Sequence, residues 1–564
     1  MQIPITNDPA VYREAALLFF VSLLVSLFIT PRTAWLARFL GAVDSPDHAR
    51  KIHSRAIPRL GGMAIAAALL GALLMARHGS WTLIAFGAGA VAVVAVGFLD
   101  DLYILRPVVK FLGQVIAATL FVRLGGFELE SVGNLFGFGP IETGIFAPAF
   151  TVFCMVGVMN ALNLSDGLDG LAGGIAAIAC VFFGLFALLS RDGDGLLVSV
   201  ALLGALIGFL RYNTFPARLF MGDSGSLLLG YSLACLAVAG VHPGGAVPLD
   251  PVTVAGVLAL PILDTLLVMA RRFWHRQNPF LPDKTHLHHR LLTLGLPHGA
   301  VVPVLYGAMA SFGLISWAMR EQPEPLQLLA ILAFGGAIYG TVFLAQRLHW
   351  RRNAADAGFG TRGAGGKTTA WIAVVMGKTV PCMSWVIALG LLLPALAVFG
   401  VPGRAGVVAF GIAAFMMALF PWRSQRVDSG ICFGIIYVAC VCLLGILHFL
   451  PSAPVWLDNY LSALCGIVLI WVLSIMKLQA GHKKIMLISG FEALLIGVTI
   501  FVPTVLVPAV GMGENVRNAL LMACLESIPL LLALKILVRK QPRRNFVIAT
   551  SLLAALVSLG LKGL

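Results

Sequence analysis

The chain has 564 residues, of which 59 % are hydrophobic and only 11 % charged. A soluble domain carries about 25 % charged residues, so a soluble multidomain protein, a disordered chain, a secreted disulfide scaffold and a typical nucleic-acid binder are excluded. What remains is the polytopic membrane class, in which a net charge of +14 reflects Lys and Arg gathered in inner loops more readily than an acidic partner.

A membrane-spanning helix takes about 20 mostly apolar residues. About eleven such segments are predicted in the first part of the chain, near 13–30, 60–76, 80–99, 108–125, 146–163, 171–190, 194–210, 225–241, 251–270, 299–319 and 325–346. About seven more follow, near 382–400, 404–421, 430–450, 458–476, 485–507, 517–537 and 545–562. The fold class is therefore an all-α polytopic membrane protein. With the N-terminus outside, the loops 31–59, 100–107, 164–170, 211–224, 271–298 and 347–381 fall on the inner face, together with three later ones. These loops hold most of the 39 Lys and Arg residues, the asymmetry that the positive-inside rule expects. No basic region precedes the first apolar run, so no cleaved signal peptide is expected. The nine cysteines form no CxxC pair and read as small buried hydrophobes.

Composition breaks at 347–381, a polar, Gly-rich and basic stretch. It divides a membrane domain at 1–346 from a second one at 382–564. The piece GTRGAGGKTT inside it is not a P-loop, because Thr361 stands where the motif needs Gly and no strand precedes it.

With only 25 acidic residues in the chain, their positions carry information. Asp44, Asp47, Asp100, Asp101, Asp166, Asp169, Asp223 and Asp283 all fall in inner loops of the first half. Aspartates converging on one membrane face suit a divalent cation with phosphates, since Mg²⁺ takes one or two protein oxygens beside substrate phosphates.

Four stretches stand out. In GFLDDLYILRPVVKFLGQ (97–114), adjacent Asp100 and Asp101 raise each other's pKa, so one could hold a proton or accept one; the alternative is a helix cap paired with Arg106 or Lys110. In NALNLSDGLDGLAGG (160–174), Asn160, Asn163, Asp166 and Asp169 recur every three residues, and at helical spacing most could face one cleft. In RYNTFPARLFMGDSGSLLLG (211–230), Asp223 sits among small residues, Arg211, Asn213 and Arg218 offer donors, and Phe220 offers either a ring face or an interface aromatic. In PDKTHLHHRLLTLG (282–295), His286, His288 and His289 beside Lys284 and Arg290 fit phosphate recognition better than zinc, as no Cys or HExxH accompanies them. Asp264 lies inside an apparent span and is a functional candidate because burying it in lipid is costly; a local pair with Arg271 or His275 is the plainer reading.

These stretches, in this order, resemble the polyprenyl-phosphate N-acetylaminosugar-1-phosphate transferases, integral membrane enzymes that begin bacterial cell-surface glycan assembly. The likeness runs from 13 to about 346 and includes DSPDHARKIHSRAIPRLGG (44–62). IPRLGG (57–62) and HLHHRLL (286–292) resemble the branch that uses UDP-N-acetylglucosamine to start O-antigen, enterobacterial common antigen or teichoic acid linkage units. The family's DDxxD/N element is incomplete, with Ile104 at its last position, which weakens that loop as a metal-binding triad.

The resemblance implies a phosphoglycosyl transferase of the bacterial inner membrane whose active site faces the cytoplasm. Undecaprenyl phosphate would attack the sugar-linked phosphorus of a UDP-N-acetylaminosugar and release UMP, or a protein nucleophile would first form a covalent phospho-enzyme, with Mg²⁺, or Mn²⁺ in its place, as cofactor. It further implies Asp223 and Asn163 as metal ligands and Asp100, with Asp101 beside it, as the catalytic residues acting on the lipid phosphate. Asp166, Asp169, Asn213 and Phe220 would hold the uridine side, Lys110, His286, His288 and His289 the diphosphate, and Asn160 is a further substrate-binding residue. Membrane lipid is an expected partner, nucleic acid is not, and a homodimer is left open. The competing classes are a multi-span transporter and a non-catalytic scaffold for lipid-linked sugars; neither accounts for carboxylates collected at the inner helix ends. The second membrane domain shows no catalytic spacing: Glu526 and Lys535 are placed to pair within one span, Glu492 could line a path, and a packing or docking module is the plainer reading.

Overall fold

The computed structural model describes residues 9–44, 56–76, 80–242, 248–277, 285–348, 382–389, 391–396, 401, 403–419, 429–448, 455–479, 496, 514–540 and 545–562. Asp47, Asp283, Lys284 and Glu492 lie outside the described residues, as do the linker from 349 to 381 and nearly all of the segment near 485–507. The chain divides into two compact units, one of 1–352 with 489–494 and the other of 353–488 with 495–564.

The first unit is helical almost throughout because its apolar runs have no water to satisfy their backbone groups, and the helix does so internally. It runs α1 (Pro9–Leu40), a two-residue hairpin β1 (Val43–Asp44) and β2 (Ile57–Pro58), α2 (Gly61–Leu73), α3 (Trp81–Tyr103), α4 (Pro107–Gly125), α5 (Ala147–Ser165), α6 (Leu171–Ser190), α7 (Gly193–Asn213) and α8 (Asp223–Val241). Then come α9 (Pro251–Val257), α10 (Ala259–Trp274), α11 (Leu287–Thr293), α12 (His298–Met319) and α13 (Glu324–Arg347). The fold class is all-α and polytopic, as the sequence indicates. Among the described residues nine helices are long and apolar enough to cross a membrane, and all nine lie in this unit.

Two of the eleven expected segments depart from a simple span. Helix α2 has 13 residues, which at 1.5 Å per residue reaches about 20 Å, short of a bilayer core of about 30 Å. The segment expected at 251–270 is two helices, α9 and α10, bent by 85°. Pro261 explains the bend: it has no N–H for the Val257 carbonyl, and its ring crowds that same oxygen. Helix α1 also runs on past its expected end at residue 30, through Pro31 to Leu40.

Helix α8 is the hub, packed against α2, α3, α5 and α6. Small residues permit the approach. A Cβ at Gly62 would strike the Gly225 backbone, one at Gly97 the Ser224 backbone, and one at Gly230 the backbone of Met159. Three helix ends (α3, α5, α7) and two helix starts (α4, α8) thereby meet at one end of the bundle.

The second unit has its own apolar core, including Leu443, Leu447, Leu531, Leu534, Leu552 and Leu556. Inside it the Glu526 carboxylate is met by His448 Nε2 at 2.9 Å and by the Ser462 hydroxyl at 3.1 Å; the side chain of Lys535, the partner expected from sequence, lies outside the described residues. Both come from other helices, Ser429–His448 and Val455–Gln479.

Candidate active site

The two adjacent aspartates at the end of α3 point in different directions, because consecutive helical residues are about 100° apart. Asp101, 1 % exposed, turns to the start of α8. One oxygen accepts from Asp223 N at 2.8 Å, and the other from Ser224 N at 3.1 Å and Ser224 Oγ at 2.7 Å. It therefore caps α8 from another helix, satisfying N–H groups that have no partner within the helix. Gly222, at φ 75°, makes the turn into α8, and a Cβ there would strike the Asp101 carboxylate and the Arg59 carbonyl. Of the two aspartates expected to act together, Asp101 thus already accepts from three protein donors.

Asp100 turns toward α4. Its Oδ1 accepts from Leu105 N at 2.6 Å and its Oδ2 forms an ion pair with Lys110. The same Lys110 Nζ lies 3.4 Å from Asp223 Oδ2, so one ammonium is shared by carboxylates from α3 and α8. Asp100 is buried, whereas the Lys110 and Asp223 side chains are roughly one third exposed. Asn163, on the last turn of α5, donates from Nδ2 to Asp223 Oδ1 at 2.7 Å and to Ser226 Oγ at 2.8 Å. An ionised carboxylate only accepts, so the donor end of Asn163 faces Asp223. In this arrangement Asn163 orients the Asp223 carboxylate.

Among the described residues no group of three or more His, Cys, Asp or Glu is gathered as a metal cage. The donors present still fit a hard cation: two carboxylate oxygens from different helices already converge on one positive charge, and Mg²⁺ needs only one or two protein oxygens when phosphates supply the rest.

The loop between α5 and α6 carries Asp166 and Asp169. Asp166, partly exposed, has its pKa pushed up to about 7 by burial, with the charges of Asp223, Asp101 and Asp169 adding to the effect. Asp169 is buried and accepts from Ala217 N at 2.9 Å. Asn213 is 2 % exposed, accepts from Gly170 N at 3.1 Å and donates to Leu219 O at 2.9 Å. Asn160 pairs with Gln114, its Nδ2 lying 2.8 Å from Gln114 Oε1, and also donates to Val156 O. The two amide atoms of Asn213 thus brace the 166–170 loop against 214–220. Asp169 and Asn160 are tied to protein groups as well. The helical register expected for the Asx series ends at Ser165, where α5 stops. Phe220 is half-buried, and its backbone pairs with Pro58 O and Gly61 N, which brings the 57–62 element to the site.

The histidines form a shelf over this loop. The rings of His286 and His288 lie parallel at 5.9 Å, and those of His288 and His289 are 4.2 Å apart. His288 is buried, which pushes its pKa down to about 3, with neighbouring His289 adding to the shift. It is a neutral ring. Its Nε2 is enclosed without a hydrogen-bond partner and lies against Gly167, where a Cβ would strike it.

The sequence pattern of glycosyl transferase family 4 matches residues 83–241, a span that contains Asp100, Lys110, Asn163 and Asp223. Over 290 residues the chain is 39 % identical to the probable undecaprenyl-phosphate N-acetylglucosaminyl 1-phosphate transferase of Bacillus subtilis, covering 51 % of this chain and 80 % of the relative. The chain belongs to the polyprenyl-phosphate N-acetylaminosugar-1-phosphate transferase family. It is 35 % identical over 323 residues to the decaprenyl-phosphate N-acetylglucosaminephosphotransferase of Mycobacterium tuberculosis H37Rv, covering 52 % of this chain and 80 % of the relative. The undecaprenyl-phosphate alpha-N-acetylglucosaminyl 1-phosphate transferase of Escherichia coli K12 is 28 % identical over 309 residues, 53 % of this chain and 83 % of the relative. The protein is therefore a membrane-embedded phosphoglycosyl transferase.

Three groups of this transferase escape a motif reading. Gln114 holds Asn160, Ser226 holds Asn163, and Tyr339 on α13 donates to Asp264 Oδ1 at 3.0 Å. The only sequence signal for Tyr339 is a lone phenol in an apolar span, whose hydroxyl must find a partner when buried.

Proposed function

We propose that this transferase moves N-acetylglucosamine 1-phosphate from UDP-N-acetylglucosamine to undecaprenyl phosphate at the inner face of the bacterial cytoplasmic membrane, releasing UMP. The observation that carries the reading is the Asp100–Lys110–Asp223 arrangement at one end of the bundle, next to Asp166 and the histidine shelf. The names of the relatives supply the sugar and the lipid phosphate.

A phosphate oxygen of the lipid attacks the sugar-linked phosphorus. The new P–O bond forms as the bond to the bridging oxygen breaks, and UMP leaves with that oxygen and its electron pair. Both reactants are anionic, so the site must offset their repulsion and hold them in line. Asp223 would hold Mg²⁺, which when bound supplies positive charge to the diphosphate; Asn163 keeps the Asp223 carboxylate turned toward it. Lys110, freed from the carboxylates as phosphate arrives, contacts the diphosphate. Asp100, released by Lys110, orients the lipid phosphate or takes its proton.

The test uses the purified full chain with UDP-N-acetylglucosamine and undecaprenyl phosphate, following UMP release and lipid product with and without EDTA. Metal-dependent formation of both products supports the reading; a wild-type chain that releases no UMP removes it. Asp100→Asn should slow turnover far more than it weakens UDP-sugar binding, and a defect confined to binding would remove Asp100 from the chemistry.

A further inference from the structure

Asp264 lies where α10 turns away from α9, and its partners are neither Arg271 nor His275. Three donors from two segments converge on it instead. Leu287 N reaches Oδ1 at 2.9 Å, the Tyr339 hydroxyl reaches Oδ1 at 3.0 Å, and His286 Nδ1 lies 2.8 Å from Oδ2. Asp264 is 7 % and His286 4 % exposed. A carboxylate offers only acceptors, so His286 carries its proton on Nδ1, and Nε2 is the ring nitrogen that takes no part in this bond. The ring also stacks on His288, whose Nε2 lies against Gly167, beside Asp166. Helices α10 and α13 and the α11 turn are thus tied by one carboxylate to the edge of the acidic site.

A neutral imidazole with its proton on Nδ1 presents a lone pair at Nε2, which an ionised phosphate cannot accept from. A phosphate oxygen can be met only if that nitrogen also carries a proton, and a buried carboxylate against Nδ1–H balances the resulting charge. We propose that Asp264 is the positioning residue that lets His286 donate from both ring nitrogens, Nδ1–H to the carboxylate and Nε2–H to a phosphate oxygen of the nucleotide donor. The second proton comes from solvent. Tyr339 and Leu287 N–H hold the carboxylate in place while this happens. The inference rests on the nucleotide-sugar reading above for the identity of the ligand, but not for the hydrogen bonds themselves.

Asp264→Asn is a specific probe because the Oδ1 position receives two donors and must remain the oxygen. The amide NH₂ then faces His286, donates to Nδ1 and drives the proton to Nε2, and no negative charge remains to balance a doubly protonated ring. The experiment uses the full chain labelled with ¹⁵N-histidine in detergent micelles, with His286 assigned by His286→Gln and UDP as the probe. In wild type, His286 should report Nδ1–H without UDP and protons on both nitrogens with it; in Asp264→Asn it should report Nε2–H throughout. Unchanged resonances between the two proteins, or a wild-type His286 that ignores UDP, would overturn the proposal.

Kinetics gives a second arm. Asp264→Asn and His286→Gln should each raise KM for the UDP-sugar about tenfold, with kcat changed less. The double variant should be no worse than either single one, as for residues acting as a unit, and additive losses would count against the proposal. Absence of turnover in wild type would instead remove the functional reading, while the resonances still decide the Asp264–His286 assignment.

Discussion

The two units each bury ionisable groups, and they balance them differently. Among the described residues of the second unit one carboxylate meets one imidazole and one hydroxyl, His448 at one oxygen of Glu526 and Ser462 at the other. In the first unit Asp100 and Asp223 compete for the single ammonium of Lys110, while Asp166 sits beside them with its pKa raised. Such a pair ties helices together. A surplus of carboxylates at a partly exposed end of a bundle is unfavourable until a cation arrives, and that surplus marks the site as built for a ligand.

The comparison breaks most sharply at Asp223. Asp223→Ala should lower transfer by on the order of 10³-fold or more, as loss of a principal electrostatic group does, while the protein still elutes as a folded species in detergent. Near-normal metal-dependent turnover would mean that the carboxylate surplus has no part in the chemistry. Asp101 is the control within the same helix. Two of its three donors are buried and the third is partly so, and Asp101→Ala should destabilise the protein by about 3 kcal/mol, the cost of orphaning such groups around a removed charge. Thermal unfolding should detect that loss, and an unchanged midpoint would contradict the capping role.

That contrast between neighbours shows how far the sequence can be read. The spans were legible because about 20 apolar residues in a row have few alternatives to a membrane helix. The convergence of acids was legible because Asp and Asn are scarce and sit where apolar runs end. Which acid does what was less so: Asp100 and Asp101 look alike in sequence, and only the 100° between helical neighbours sends one to Lys110 and the other to the start of α8. Asn213 and Asp169 resembled ligand contacts because buried polar side chains do; their partners, Gly170 N, Leu219 O and Ala217 N, are backbone groups that carry no motif. Pro261 did signal the break between α9 and α10, but the apolar run around it masked the signal. Asp264 was singled out correctly as unusual, and its partners His286 and Tyr339 lie 22 and 75 residues away, beyond the reach of local spacing.

Smaller effects sharpen the distinction. Glu526→Gln keeps the shape of the second unit's pair and removes its charge, so it should cost about 1 kcal/mol and leave initial rates of transfer unchanged. A reduced rate at full folding would give the second unit a share in catalysis and end the contrast drawn above.

The mildest test reads the carboxylate surplus directly through pH. Asp166 has a folded-state pKa of about 7 against an ordinary 3.8. The folded protein therefore holds a proton that the unfolded chain has released, and the stability linked to this group is fully present below the unfolded value and lost as pH rises through about 7. Thermal midpoints of the ligand-free protein, measured in detergent from about pH 5 to about pH 8, should fall more steeply for wild type than for Asp166→Asn, which has no proton to lose. Mg²⁺ together with UDP should flatten the wild-type curve in part, because a cation among these acids offsets the charges of Asp223, Asp101 and Asp169 that add to the effect of burial, and should alter the variant's curve less. Parallel curves for the two proteins would show that Asp166 is not crowded by its neighbours.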